Sequence, residues 1–304
     1  MKRLFILLLF IAVLSPASRA SGPFVGHSIE VGGHFGIGAL MPVGVLEDVL
    51  YDPSFAGGFD LYYTYMANPY FGFTTGVSYL RLNSSVTGQD VVSTYMGEMM
   101  IDLPFVGLVS SDVHCIGTTT TVKEDYQLSF IEIPALLAIR NGRWYYNLGF
   151  KFGIPIKGNA NYEFGRTDFL VDEIYYTGTT LGDDPLPMPS DNGGHGKYDP
   201  QSGRATSIFA QWCMEIGFSI DLGSSSALSL GAFLDYGIHD ASLDNPKSAE
   251  LLTLNGSTIS KYNGALNSNM MTHVRYYKAG VRLHFNLGFG SRIGGSGHKS
   301  KRLI

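Results

Sequence analysis

Charge is scarce in this chain. Asp, Glu, Lys and Arg make up 15% of its 304 residues, against the usual quarter. Acids outnumber bases, 26 to 21. That excludes the basic footprint of a DNA- or RNA-binding protein, and no nucleic acid is expected as a partner. Cysteine is nearly missing. Cys115 and Cys213 alone do not make a disulfide framework. Beyond residue 20 there is no run of 18 apolar residues, which excludes a membrane helix in that part. Motifs for chemistry are also missing. Asp183, Asp184, Asp191 and His195 crowd the stretch "LGDDPLPMPSDNGGHG" without calcium-loop or zinc spacing. "GGHG" (193–196) lacks the Gly-Lys-Ser/Thr of a phosphate loop.

Glycine (38) and aromatics (13%) are abundant. The chain opens on "MKR", then the apolar stretch "LFILLLFIAVL" (4–14), then "SRA" with Ser18 and Ala20 at small-residue positions. This order reads as a cleavable signal peptide over 1–20. Removing it leaves 18 basic against 26 acidic side chains.

Everything after it repeats one pattern. In "YYKAGVRLHFNL" (276–287), Tyr277, Ala279, Val281, Leu283 and Phe285 alternate with Lys278, Gly280, Arg282 and His284. Period-two alternation of this kind marks a strand with two different faces. Seven other segments share it: 28–40, 54–66, 70–83, 125–139, 144–158, 205–222 and 227–240. Tight connections at 67–69, 140–143 and 223–226 alternate with long polar ones at 41–53, 84–124, 159–204 and 241–274. "RNGR" (140–143) contains Asn-Gly, a strong hairpin signal.

Short and long connections alternating around an even number of antiparallel strands describe an outer-membrane barrel. The expected fold is all-β: an eight-stranded antiparallel transmembrane up-and-down barrel over 21–287, with long external loops. Runs at 90–101 and 169–178 are strand-like and are expected to extend beyond the membrane, although they leave a ten-stranded ring open. Outer-membrane lipid is the expected surrounding. A narrow barrel fills its inside with side chains, so Lys278 and Arg282 need inward partners. The same face offers Glu30, Asp60, Glu132, Glu215 and Asp235, with Lys151 as a further cation and Lys157 beyond it. These are expected to form a structural charge network, not a catalytic one.

Other roles are weaker. An outer-membrane protease needs Asp and His at its rim, and Asp112 with His114 or His239 with Asp240 are adjacent only in sequence. No enzymatic activity, cofactor or metal is expected. A lipocalin-like carrier would put its charges outside, not opposite a bulky apolar face. Cys213 is expected inward and inert, and Cys115 in an exposed loop. Pro134 is expected to sit at a bulge.

"LSFIEIPALLAIRNGRWYYNLGFKFGIPIKG" (128–158) carries Phe130, Ile131, Glu132, Ile133, Pro134, Leu136 and Leu137. It resembles a hairpin of the PorT-like small outer-membrane barrel proteins of Bacteroidota, with Ala135 departing from the usual Leu. "AGVRLHF" resembles the terminal strand of outer-membrane barrels, closing on Phe285. The resemblance implies that Tyr277, Val281, Leu283 and Phe285 form the strand read by the barrel-assembly machinery. It also implies a structural or interaction role, such as an accessory of a secretion or assembly machine; surface adhesion or protection through the loops is the alternative. Unlike the usual terminal strand, this one is followed by residues 288–304, a Gly- and Lys/Arg-containing segment expected to be a flexible periplasmic tail.

Overall fold

The structure, a computed structural model, describes residues 24–43, 49–103, 107–176, 179–180, 186–198, 209–222, 225–238, 252–255, 258–262, 264 and 273–292. The expected signal peptide, His239, Asp240, Asp183 and Asp184 lie outside the described residues.

Fourteen strands are described. They are β1 (Phe24–Val43), β2 (Val49–Met66), β3 (Phe71–Leu103), β4 (Gly107–Asn141), β5 (Trp144–Phe164), β6 (Thr167–Tyr176) and β7 (Thr179–Thr180), then β8 (Leu186–Asp191), β9 (Gly194–Tyr198), β10 (Phe209–Asp221), β11 (Ser226–Gly237), β12 (Leu252–Asn255), β13 (Thr258–Tyr262) and β14 (His273–Arg292). Eight of them close a ring in the order β1-β2-β3-β4-β5-β10-β11-β14, and β14 returns to β1. Every pairing is antiparallel. The fold is therefore an eight-stranded antiparallel barrel, as the periodicity predicts. The runs at 90–101 and 169–178 are strands outside the ring's count. The first belongs to β3; the second, as far as Tyr176, falls in β6, which adds to β4 beyond the barrel, and 177–178 lie outside the described residues.

Alternation sorts the side chains. Phe59 (75% exposed), Val31, Leu61, Phe73 and Ile216 point outward; Asp60, Tyr62, Thr74 and Glu215 are buried inside. The outward apolar positions recur on all eight ring strands and form a continuous belt. Tyr65 and Phe71 lie exposed at its tight-turn end. Trp144 meets Phe218 edge-on there, 6.3 Å between centroids. Tyr277 meets Tyr51 edge-on at the other end. On the closing strand, Val281, Leu283 and Phe285 are exposed on the outside.

Four expectations need correction. The long polar connection 84–124, in which the pattern marks only 90–101 as strand, continues the β3–β4 hairpin on both sides, paired out to Leu103 and Gly107. Its Thr- and Val-rich sequence (Thr118–Val122) suits a pleated ladder. Pro134 makes no bulge. Thr75 pairs Ala135 and Ser78 pairs Glu132 in one continuous register; only the two intervening pairs are missing, where proline has no N–H to give. The bulge lies on β5 instead. Ser129 faces Lys157 while Phe130 faces Pro155, so Ile156 is the extra residue. It reverses the alternation, and Lys157 is exposed outside rather than inside. Finally, the closing strand does not stop at residue 287. Leu287 to Arg292 pair with Ile29 to Phe24, so the tail begins after Arg292.

The last point is testable. Cutting the chain after Arg292 should leave assembly unchanged, read as heat-dependent mobility on a gel. Cutting after Phe285 removes the ladder partners of Phe24–Glu30 and should lower the assembled fraction. Equal assembly of both would show that the last turn of β14 is dispensable.

Candidate functional site

The inside of the barrel is layered. Nearest the tight turns lies a compact set of charges, placed by inward positions on seven of the eight ring strands. Lys278 Nζ donates to Glu132 Oε1 and Oε2 at 2.5 and 2.6 Å and lies 3.3 Å from Asp235. Lys151 Nζ donates to Asp235 Oδ2 at 2.5 Å. Arg282 donates from Nη1 to Glu215 at 2.5 Å and from Nε to Asp60 at 3.1 Å. Arg140 reaches Glu30 at 3.7 Å. The structure thus brings together all eight network residues expected from the sequence: Glu30, Asp60, Glu132, Lys151, Glu215, Asp235, Lys278 and Arg282.

His284 joins Glu30 and Asp60. Its Nδ1 lies 3.3 Å from Glu30 and its Nε2 3.0 Å from Asp60. Both nitrogens face carboxylates, so both donate, and only the imidazolium does that. Five carboxylates then face Lys151, Lys278, Arg282, Arg140 and His284. The described network is neutral. Such a balance offsets the large cost of burying each ion.

Sequence reading missed the neutral members. Ser78 donates to Asp60 at 2.6 Å, Thr64 to Glu30 at 2.8 Å and Tyr145 to Glu215 at 2.7 Å. Gln211 adds a bond to Glu132 at 3.1 Å, and His34 one to Asp60. Arg282 lies over the Phe233 ring at 4.9 Å and the Tyr62 ring at 5.6 Å. Glycines leave the room these large groups need. A Cβ on Gly231, opposite Arg282, would lie 2.4 Å from the Tyr145 hydroxyl. The signal for these partners was the inward parity of each strand.

One step further from the tight turns, the charges stop. Phe130, Phe209 and Tyr276 pack with centroids 4.5 to 5.2 Å apart. Leu40, Leu80, Leu82 and Leu128 surround them, nearly inaccessible. This apolar plug closes the lumen above the network.

Beyond the plug is a second polar centre that sequence reading did not find. Glu124, wholly buried, accepts from the hydroxyls of Tyr126 and Tyr262 and from Tyr198 at 2.6 Å. Tyr162 stacks on Tyr262 with centroids 4.0 Å apart. Hydroxyls from three strands, β4, β9 and β13, therefore meet at one carboxylate, with Tyr162 of β5 stacked beside them. Burial first, and the neighbouring Glu124 charge second, push the phenols of Tyr126, Tyr198 and Tyr262 upward from the ordinary 10.0.

The remaining candidates are dispersed. Asp112 and His114 lie on β4 opposite Glu98 and Met96. His195 is exposed on β9, opposite Glu163, and Asp191 pairs Thr167. Among the described residues no cluster of three His, Cys, Asp or Glu is placed to hold a metal. Cys213 is buried inside the barrel. Cys115 is buried too, not exposed in a loop, and burial raises its thiol pKa.

Two outcomes follow from this geometry. Glu132→Leu leaves Lys278 and Lys151 sharing Asp235 and should cost about 3 kcal/mol in urea unfolding; adding Lys278→Met should recover part of that loss. An unchanged midpoint for Glu132→Leu would remove the network from the stability argument. The phenols around Glu124 titrate above 10.0 when folded and at 10.0 when unfolded. Their stabilisation is therefore complete below about pH 10 and is lost as pH rises through the folded values. Tyrosinate absorbance should appear late for these three, together with protease access to β9. Titration in step with free tyrosine would contradict the clasp.

No protein-family model matches this sequence, and no curated protein matches it. Matching solved structures include the attachment invasion locus protein Ail of Yersinia pestis, at 10% identity over 86% of this chain and 99% of Ail, with a TM-score of 0.31. The outer membrane protein OprG from Pseudomonas aeruginosa matches at 11% identity, over 90% of this chain and 100% of OprG, TM-score 0.32. The translocator domain of the autotransporter NalP from Neisseria meningitidis matches at 9%, over 95% of each chain, TM-score 0.22. Likeness at this level carries no argument about this chain; its barrel stands on its own closed register.

Proposed function

We propose that this chain is an outer-membrane barrel that works by interaction, through the structure it builds beyond the membrane, and not by transport or catalysis. The observation that carries this reading is the pairing of an apolar outer belt with a filled lumen. A belt of exposed Phe, Leu, Ile, Val and Tyr on every ring strand far exceeds the patch a soluble protein leaves in water, and it suits acyl chains. A closed ring leaves no backbone group unpaired in lipid. Inside, the neutral ion network and the Phe130–Phe209–Tyr276 plug fill the lumen among the described residues, which supports a barrel that passes no solute. The buried carboxylates are engaged by cations and hydroxyls, which argues against acid–base work there.

The long-loop end is the part left for a partner. The β3–β4 hairpin runs past the belt, and β6, β8 and β9 widen it. The likeness of Phe130–Leu137 to the PorT-like pattern supports an accessory role in a secretion or assembly machine. Surface adhesion or protection through the same extension is the second reading.

Native size separates the two. Extracted in mild detergent from its own membrane, the protein is expected to migrate as one defined complex larger than the single barrel, with the machine's chains co-purifying. A lone barrel would remove the accessory reading and leave the surface reading in place.

A further inference from the structure

We propose that the outward patch of Arg81, Ser129 and Lys157, with Asn83 beside it, binds the phosphorylated saccharide headgroup of a lipid packed against the barrel. The proposal rests on the membrane-spanning reading above.

The three residues share one row of the ladder: Arg81 faces Ser129, and Ser129 faces Lys157. The next outward row toward the tight turns is Tyr79, Ile131 and Ile154, part of the apolar belt. The next row the other way is Asn83, Gln127 and Asn159; its pairing with Asn159 continues across β5. The cations therefore stand where the belt ends, at the depth of a lipid headgroup. Lys157 reaches this face only because the Ile156 bulge reverses the alternation of β5.

Two further observations narrow the ligand. First, among the described residues no carboxylate pairs with Arg81 or Lys157. The exposed ion pairs among the described residues are Lys123–Asp125 and Arg166–Asp168. Asp125 lies two outward rows away, about 13 Å along the strand at about 3.3 Å per residue. That exceeds the screening length of about 8 Å, and Asp125 already accepts from Ser85 at 2.7 Å. Arg81 is steadied by Gln127 at 3.0 Å. Arg81 and Lys157 stand two strands apart, about 10 Å, a separation one phosphate-bearing headgroup spans.

Second, Asn83 Oδ1 is buried without a hydrogen-bond partner. An orphaned acceptor calls for a donor; the half-buried Asn83 amide has to turn outward to meet one, and a sugar hydroxyl supplies it where a fully ionised phosphate does not. Phosphate for the cations and hydroxyl for the amide together describe a phosphorylated saccharide. Continuity with the belt makes its carrier a lipid. Across the ring the rim is built differently: Arg275 donates to the Tyr236 hydroxyl at 3.2 Å, and Tyr277 packs on Tyr51.

The test uses the full chain folded in zwitterionic micelles, with diphosphoryl lipid A as the probe. Wild type is expected to bind it on the order of tenfold more tightly than Arg81→Gln/Lys157→Gln, since each surface cation near an anionic lipid contributes modestly. Dephosphorylated lipid A should bind wild type at the double variant's level, and millimolar inorganic phosphate should not compete. Arg81→Lys/Lys157→Arg should bind as wild type does. Asn83→Ala should weaken lipid A binding and leave phosphatidylglycerol binding unchanged. Equal binding by wild type and the Gln variant, or by the two forms of lipid A, would overturn the proposal. Competition by free phosphate would show a phosphate site without lipid preference and overturn it too. Equal loss of both lipids in Asn83→Ala would overturn the saccharide assignment. Loss of heat-dependent mobility in wild type would instead count against the barrel reading itself.

Discussion

One ladder governs this structure: the antiparallel pairing of β1 with β14, from Phe24–Arg292 to Val43–His273. A sheet in hydrocarbon has nowhere to send an unpaired N–H or C=O, so it closes on itself or does not persist. Closure also creates the inside. Once β14 docks, its alternate residues Lys278, Arg282 and His284 are enclosed and must find counter-charges at once. The network is a consequence of the ring, and the ring tolerates its charges only because the network is neutral.

Function then divides by height. The layer near the tight turns is polar but saturated, the layer above it is apolar and filled, and the Glu124 clasp ties β9 and β13 to the long hairpin. Under the proposed reading, contact with another molecule falls to the outer surface. There the decisive element is a single extra residue, Ile156, which changes what the upper part of β5 shows to its surroundings.

Much of this was legible in the sequence, for a physical reason. Strand parity is strictly two, so a run such as Tyr277-Lys278-Ala279-Gly280-Val281-Arg282 declares both faces without any knowledge of its neighbours. That is why the eight network residues and the ring were readable. Where parity breaks, reading fails. Lys157 was assigned to the wrong face because nothing local announces that Ile156 is an insertion; it is defined by Ser129 and Phe130 on the next strand. Beyond Asn83 only 90–101 reads as strand, because polar residues hide the rest of the inward row of Val86, Val91 and Val122. The Glu124 clasp draws Tyr126, Tyr198 and Tyr262 from segments that no periodicity connects.

The order in which the lumen acquires its charges follows from chain position. All five network carboxylates precede β14, and before that strand arrives only Arg140 and Lys151 among the described partners stand against them. Lys278, Arg282 and His284 come last. The ring also depends on contacts between residues at opposite ends of the chain, which makes closure slow. A chain that stops short of β14 thus has both an open edge and an excess of buried negative charge. The last strand doubles as a proof of completeness: only a chain that includes β14 is electrically able to rest in a membrane.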